Sequence, residues 1–187
     1  MDSSPTAPTA PTGTAETWPD AVFDILKAND IKQVAVVPDA GHSRLIKRCE
    51  ADPDMTVVRL TTEEEGIALL GGAWLGGQRG VLLMQSSGVG NCINMLSLPN
   101  TYQFPLLMLV TMRGDWGEFN PMQVHMGAAT QASLESMNVF IRRADRADDV
   151  AETVEATLKI AFNTVRSAAT LIGQRVIGAK DFRELAK

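Results

Sequence analysis

Solid apolar runs alternate along the chain with stretches whose apolar positions recur every three or four residues. Trp18, Val22, Ile25 and Leu26 fall on one side of a helix over residues 18–28. A β-branched run at 33–37 predicts the first strand, and it ends in Pro38-Asp39-Ala40-Gly41-His42. A helix over 43–49 and a strand over 55–60 follow. Ile67, Leu70 and Trp74 keep helical spacing after three consecutive carboxylates, Glu63, Glu64 and Glu65, but Ala68, Leu69, Ala73 and Leu75 leave no polar face. A helix apolar all round is expected to be buried, and its five glycines fit only where another backbone packs close. At least one of the acids is then expected in a buried interface, with its proton held more tightly than in water.

The third strand, 81–84, runs into a polar, glycine-broken turn over 85–91. A helix over 91–101 is expected to stop near Pro99, and residues 106–111 form a fourth solid apolar strand. Residues 113–125, RGDWGEFNPMQVH, read as a long polar loop, a length often tied to function. A helix at 128–137 and a short strand at 139–142 come next. The clearest helix spans 148–168, with Val150, Val154, Leu158, Ala161 and Val165 on one stripe. A last strand over 170–177 is interrupted by Gly173.

Uniformly apolar strands between helices predict an α/β fold with a parallel sheet covered on both faces. Ligands of such sheets sit beyond the carboxyl ends of the strands. That rule gathers Asp39, His42, residues 85–91 and the 113–125 loop at one edge, and Glu64 can join them.

Composition narrows the function classes. A length of 187 residues fits one folded domain over 18–187, and the Pro-, Thr- and Ala-rich residues 1–17 read as a disordered tail without the features of a secretory leader. A net charge of -5 gives no support for nucleic-acid or anionic-membrane binding, and no apolar stretch is long enough to span a bilayer. Cys49 and Cys92 lack CxxC spacing and fit reduced thiols in a cytoplasmic protein.

Nucleotide and metal fingerprints fail. GxxxxGK, HExxH, paired CxxC and GxSxG are absent, so no metal site is implied, and Ile93 stands where a third glycine would follow Gly88 and Gly90. His42 and His125 are either turn and surface residues or proton donors at the sheet edge. Arg113 is either a solvated charge or the holder of an anionic substrate.

The stretches VVPDA, TEEEGIALLGGAWLGG, LLMQSSGVGN, PLLMLVTMRGD and QVHMG, in this order over residues 18–178, resemble the pyrimidine-binding domain of thiamine-diphosphate enzymes. Within that superfamily the resemblance is to sulfopyruvate decarboxylase alpha subunits and the related phosphonopyruvate decarboxylases. It implies a glutamate at the start of the apolar helix that hydrogen-bonds N1′ of the cofactor's aminopyrimidine. Counting back from Trp74 places it at Glu64, with Glu65 the competitor. It also implies that Gln85, Ser86, Ser87, Gly88, Val89 and Asn91 pack beside that ring. Asp39 and His42 would serve catalysis, and Arg113, Gln123 and His125 would face the substrate, a small anionic 2-keto acid.

The family holds the diphosphate through Mg2+ on a Gly-Asp-Gly motif that does not occur in these residues. The resemblance therefore implies a partner beta chain with the diphosphate-binding domain and a hetero-oligomer that decarboxylates 3-sulfopyruvate. The phosphonate branch usually carries an EPQH-like run where Asn120-Pro121-Met122-Gln123 stands here. Two other readings compete with the enzyme: an interaction domain without chemistry, and a Rossmann-type nucleotide domain.

Overall fold

The computed structural model describes residues 17–178. The expected tail over 1–16 lies outside the described residues. Thr17, read as the end of that tail, belongs to the fold: it is the N-cap of the first helix, and its hydroxyl and amide both donate to the Asp20 carboxylate in the first turn (2.7 and 3.2 Å).

That helix, α1 (Trp18–Ala28), leads into β1 (Ile31–Val36), a 3-10 turn at Ala40–His42, α2 (Ser43–Ala51) and β2 (Thr56–Arg59). Then come α3 (Glu63–Leu75), β3 (Arg79–Gln85), α4 (Ser86–Cys92), α5 (Ser97–Tyr102) and β4 (Leu106–Thr111). The rest is α6 (Met122–Ser136), β5 (Phe140–Ala144), α7 (Ala147–Thr164), β6 (Ser167–Ile172) and α8 (Gln174–Ile177). The six strands form one sheet in the order β2-β1-β3-β4-β6-β5, every pair parallel. The expected α/β fold is thus the observed one.

Strand alternation divides the core in two. Val34, Val36, Leu83 and Leu109 face one side, beneath α1, α2 and α7; Ala35, Leu82, Met84 and Val110 face the other, beneath α3, α4 and α6. All of these strand residues are fully buried, which is why the strands read as unbroken apolar runs. Each fully buried large side chain contributes about 1.5–3 kcal/mol.

Several boundaries differ from expectation. The turn expected over 85–91 is the helix α4, which starts directly at Ser86. The long loop ends early, because α6 begins at Met122 and so carries Gln123 and His125 on a helix. Pro99 lies in the first turn of α5, where its missing N–H costs nothing, and does not end a helix. Val165 leaves the α7 stripe; it is the left-handed residue (φ 52°) that closes the helix. Gly173 ends β6, and α8 follows it.

The helix α3 is not buried all round in this chain. Ile67, Leu70 and Gly71 pack inward, while Ala68, Gly72 and Leu75 are exposed, Leu75 at 89%. Among the described residues, nothing beyond its own stretch of helix lies within 4 Å of a methyl added at Gly72.

A carboxylate-rich edge at the carboxyl ends of the strands

β1 and β3 lie side by side, and the connections leaving them run to opposite flanks of the sheet, which makes their carboxyl ends the topological switch point. Asp39 sits there. One carboxylate oxygen accepts from Thr111 Oγ1 (2.6 Å) and the Gly41 amide (3.0 Å), and the other from Gln85 Nε2 (3.0 Å). Asp39 therefore ties together the ends of β1, β3 and β4. Burial pushes its proton affinity up, but the hydrogen bonds from Thr111, Gln85 and the Gly41 amide outweigh this and hold the carboxyl below its usual range. A methyl on Gly41 would meet Asp39 and Thr111 at 2.8 Å, so only glycine lets the turn close over them.

His42 is not a surface residue. The turn folds back over the sheet, buries the ring completely and sets Nε2 3.1 Å from the Leu109 carbonyl in β4. Its Nδ1 has no hydrogen-bond partner among the described residues, and desolvation lowers its pKa, so the neutral ring with Nε2 as donor is favoured. Full burial removes His42 from direct contact with any substrate arriving from solvent.

From the end of β3, Ser87 Oγ donates to Gln85 Oε1 (2.9 Å) and the buried Ser86 hydroxyl accepts from the Arg113 amide (3.0 Å). Gly88 and Val89 are buried, whereas Ser87, Gly90 and Asn91 line the exposed face of α4. Asn91 Nδ2 donates across to Glu63 Oε2 (2.8 Å), not to Glu64.

The three acids at the start of α3 thus separate. Glu63 is the buried one, 8% exposed. Glu64 is half-buried and accepts from the Thr62 hydroxyl, which holds its carboxyl below the usual range. Glu65 is exposed and accepts from the Thr61 amide (2.9 Å). The expectation of a tightly held proton is therefore not met at Glu64 in the single chain. That residue points off the helix toward the uncovered side, and desolvation there needs atoms from another molecule.

The 113–121 loop is a hydrogen-bonded platform. Arg113 Nε and Nη2 grip Glu118 (2.6 and 2.5 Å), which also accepts from Gly114 and Asn120 amides and from Gln174 Nε2. Chiefly through Arg113, the Glu118 carboxyl is held down to about 2. Gln174 in turn accepts from the Asp115 and Trp116 amides (3.1 and 2.9 Å). The forked face of Arg113 is thus spent within the chain. It borders, with Asp39, Gly41 and Ile177, a cleft of 140 Å³. Gln123 keeps a buried Oε1 without a hydrogen-bond partner among the described residues, and His125 is exposed on α6.

Sequence reasoning missed Thr111, Glu118 and Gln174, and it named Glu63 only within the acidic triplet, one member of which is expected to be buried. Thr111 left a trace as the polar end of an apolar strand, and Glu118 only as a member of the long polar loop.

Residues 17–132 match the family described as thiamine pyrophosphate enzyme, N-terminal TPP binding domain. Over 154 residues the chain is 33% identical to the sulfopyruvate decarboxylase subunit alpha of Methanothermobacter thermautotrophicus, covering 82% of this chain and 93% of that one. Over 107 residues it is 38% identical to the phosphonopyruvate decarboxylase of Streptomyces viridochromogenes, covering 56% of this chain but 27% of that one. Its fold is also that of part of the 2-oxoglutarate:ferredoxin oxidoreductase of Magnetococcus marinus. That structure, determined with 2-oxoglutarate, coenzyme A and succinyl-CoA bound, superposes with a TM-score of 0.68 at 15% identity, over 87% of this chain and 29% of that one.

Proposed function

The chain belongs to the thiamine pyrophosphate enzymes, as their N-terminal TPP-binding domain, and from that premise we propose that it is the alpha subunit of a two-chain decarboxylase converting 3-sulfopyruvate to sulfoacetaldehyde and CO2. The observation that carries this reading is the match to a sulfopyruvate decarboxylase alpha subunit over 93% of that subunit's length. The phosphonopyruvate alternative is supported over about a quarter of the relative's length, 27%.

The residues at the edge fit one part of the cofactor. Glu64 offers a half-exposed carboxylate, and Ser87, Gly90 and Asn91 offer a low, polar helix face on which a flat aminopyrimidine can lie. Bound thiamine diphosphate supplies the carbon nucleophile and electron sink that decarboxylation of a 2-keto acid needs. Glu64 holds a proton at the ring's N1′ atom; covering by a second chain strips water from that carboxyl and raises its affinity for the proton. Asp39, fixed by Thr111, Gln85 and Gly41, presents a permanent anion beside the cleft and orients groups there. Arg113 shapes that cleft with its charge already met by Glu118, so the substrate's sulfonate draws on Gln123, His125 and the partner.

The partner is a beta subunit with the diphosphate-binding domain and the Mg2+ site. The side of α3 left uncovered by the described residues supports its existence, since Gly72 faces open space there and Leu75 is exposed. Residues 98–104 extend the same apolar face, with Tyr102 71% exposed. Leu75→Asp is expected to leave the melting temperature of the isolated chain unchanged within about 2 °C and to abolish pairing with the partner in size-exclusion chromatography. No described helix is long and apolar enough to cross a membrane, and the two free buried cysteines fit a cytoplasmic location.

Native purification of the chain, followed by sequencing of what stays bound, tests the reading. A second chain carrying Gly-Asp-Gly supports it. A chain that elutes alone, stable and without affinity for thiamine diphosphate removes it.

A further inference from the structure

An acid in the first turn of a helix needs no burial to serve the dipole, as the exposed Glu65 does on the same turn. Glu63 is nevertheless buried, and its carboxylate reaches across to α4, where Asn91 Nδ2 donates to it at 2.8 Å. Gly88, one turn before Asn91 on the same face of α4, lies against that carboxylate so closely that any added methyl would run into it. Cys92, next to Asn91, is buried in the same place, and its thiol is pushed up to about 12 by burial, with the Glu63 and Glu64 charges adding to the effect. Burying a carboxylate is costly unless it is hydrogen-bonded, and this one is desolvated to make a single side-chain bond between two helices. Both helices carry residues assigned above to the aminopyrimidine: Glu64 follows Glu63 directly, and Ser87 and Gly90 flank Gly88.

We propose that Glu63 is a positioning residue, a clamp that fixes the spacing between Glu64 on α3 and the Ser87–Asn91 face of α4. It touches neither cofactor nor substrate. Its length sets the distance between the helices, because the carboxylate must span from the first turn of α3 to Asn91 while Gly88 leaves room for it. The inference rests on the proposed function, and the test separates the two.

The test compares Glu63→Ala, Glu63→Asp and Glu63→Gln in the assembled alpha–beta pair. Thiamine diphosphate affinity with Mg2+ is read by calorimetry, kcat and KM by steady-state kinetics, and stability by thermal unfolding. Gln keeps the reach and an acceptor for Asn91, so it stays within about threefold of the native pair. Asp keeps the charge but is one methylene short, and it behaves like Ala: cofactor Kd rises about tenfold and kcat falls about ten- to a hundredfold, with KM for the keto acid nearly unchanged. If Glu63→Ala does not fold, the contrast between Asp and Gln decides alone. Variants that only melt earlier, with cofactor Kd and kcat of the folded pair unchanged, overturn the clamp. So does an Asp variant as good as Gln. A native pair that binds no thiamine diphosphate overturns the proposed function and the clamp with it, whereas a native pair that binds it and tolerates all three substitutions overturns the clamp alone.

Discussion

Glu64→Gln is expected to lower decarboxylation by about a hundredfold or more while the alpha–beta pair still assembles and the chain keeps its stability within about 0.5 kcal/mol. The two halves of this expectation come from different features. Stability is spared because Glu64 is half-exposed and its carboxyl bonds only locally among the described residues, chiefly to the neighbouring Thr62 hydroxyl. Activity is lost because glutamine matches the size of the side chain but cannot share a proton with a ring nitrogen. The same carboxyl is held below its usual range in the single chain and is predicted to bind its proton more tightly once a partner and the cofactor exclude water. Measuring kcat at saturating cofactor checks the result, and normal turnover in the variant would strip Glu64 of its assigned role. Glu65→Gln, on an exposed residue that caps Thr61, serves as the comparison and is expected to keep near-native turnover.

The second large effect is structural. Glu118→Ala is expected to destabilise the chain by about 3 kcal/mol, measured by urea unfolding. The Glu118 side chain is 3% exposed and accepts from Arg113, Gly114, Asn120 and Gln174. Its removal leaves the Arg113 guanidinium, 13% exposed, without its partner in a closed site. Replacing both residues by alanine recovers part of the loss, because the unpaired charge goes too. The linked pH dependence has a definite sign. The folded-state pKa of Glu118 is lowered to about 2 from 4.5. Its contribution is therefore complete above about pH 4.5 and is lost as the pH falls toward 2. The variant should lack that part of the acid sensitivity. A loss below 0.5 kcal/mol would mean that the loop opens and hydrates Arg113 freely.

The sheet was legible from sequence because every central strand is buried on both sides and shows it as an unbroken apolar run. The residues at the strand ends were placed by the rule for parallel sheets, and the structure does bring Asp39, Gln85 and Thr111 together. What stayed hidden had physical reasons. Two glycines in seven residues make Ser86–Cys92 look like a turn, but packing against Glu63 and Met126 outweighs their poor helix propensity. Asn120 Oδ1 accepts from the Met122 amide (3.1 Å) at the start of α6 and Pro121 follows it, but Asn-Pro inside a polar stretch reads equally as a turn. Three adjacent carboxylates differ by about 100° each around a helix, and α3 has no polar face to orient them. Glu63 does lie four and seven residues before Ile67 and Leu70, on the stripe that packs inward, but a charged residue there reads as a helix-start acid rather than as part of a buried face. A lone histidine in a turn reads as polar, and only the fold of 40–42 onto β4 buries His42. The Arg113–Glu118–Gln174 network spans segments far apart in the chain, beyond any local pattern.

On the proposed function, this chain supplies one half of a divided decarboxylase site. The most direct test is CO2 release from 3-sulfopyruvate, with thiamine diphosphate and Mg2+ present, by this chain alone, by the partner alone and by the two mixed. The account predicts release by the mixture only, with sulfoacetaldehyde formed in equal amount and phosphonopyruvate turned over far more slowly. Full activity in either chain alone would contradict it, as would a mixture that binds the cofactor and leaves 3-sulfopyruvate intact.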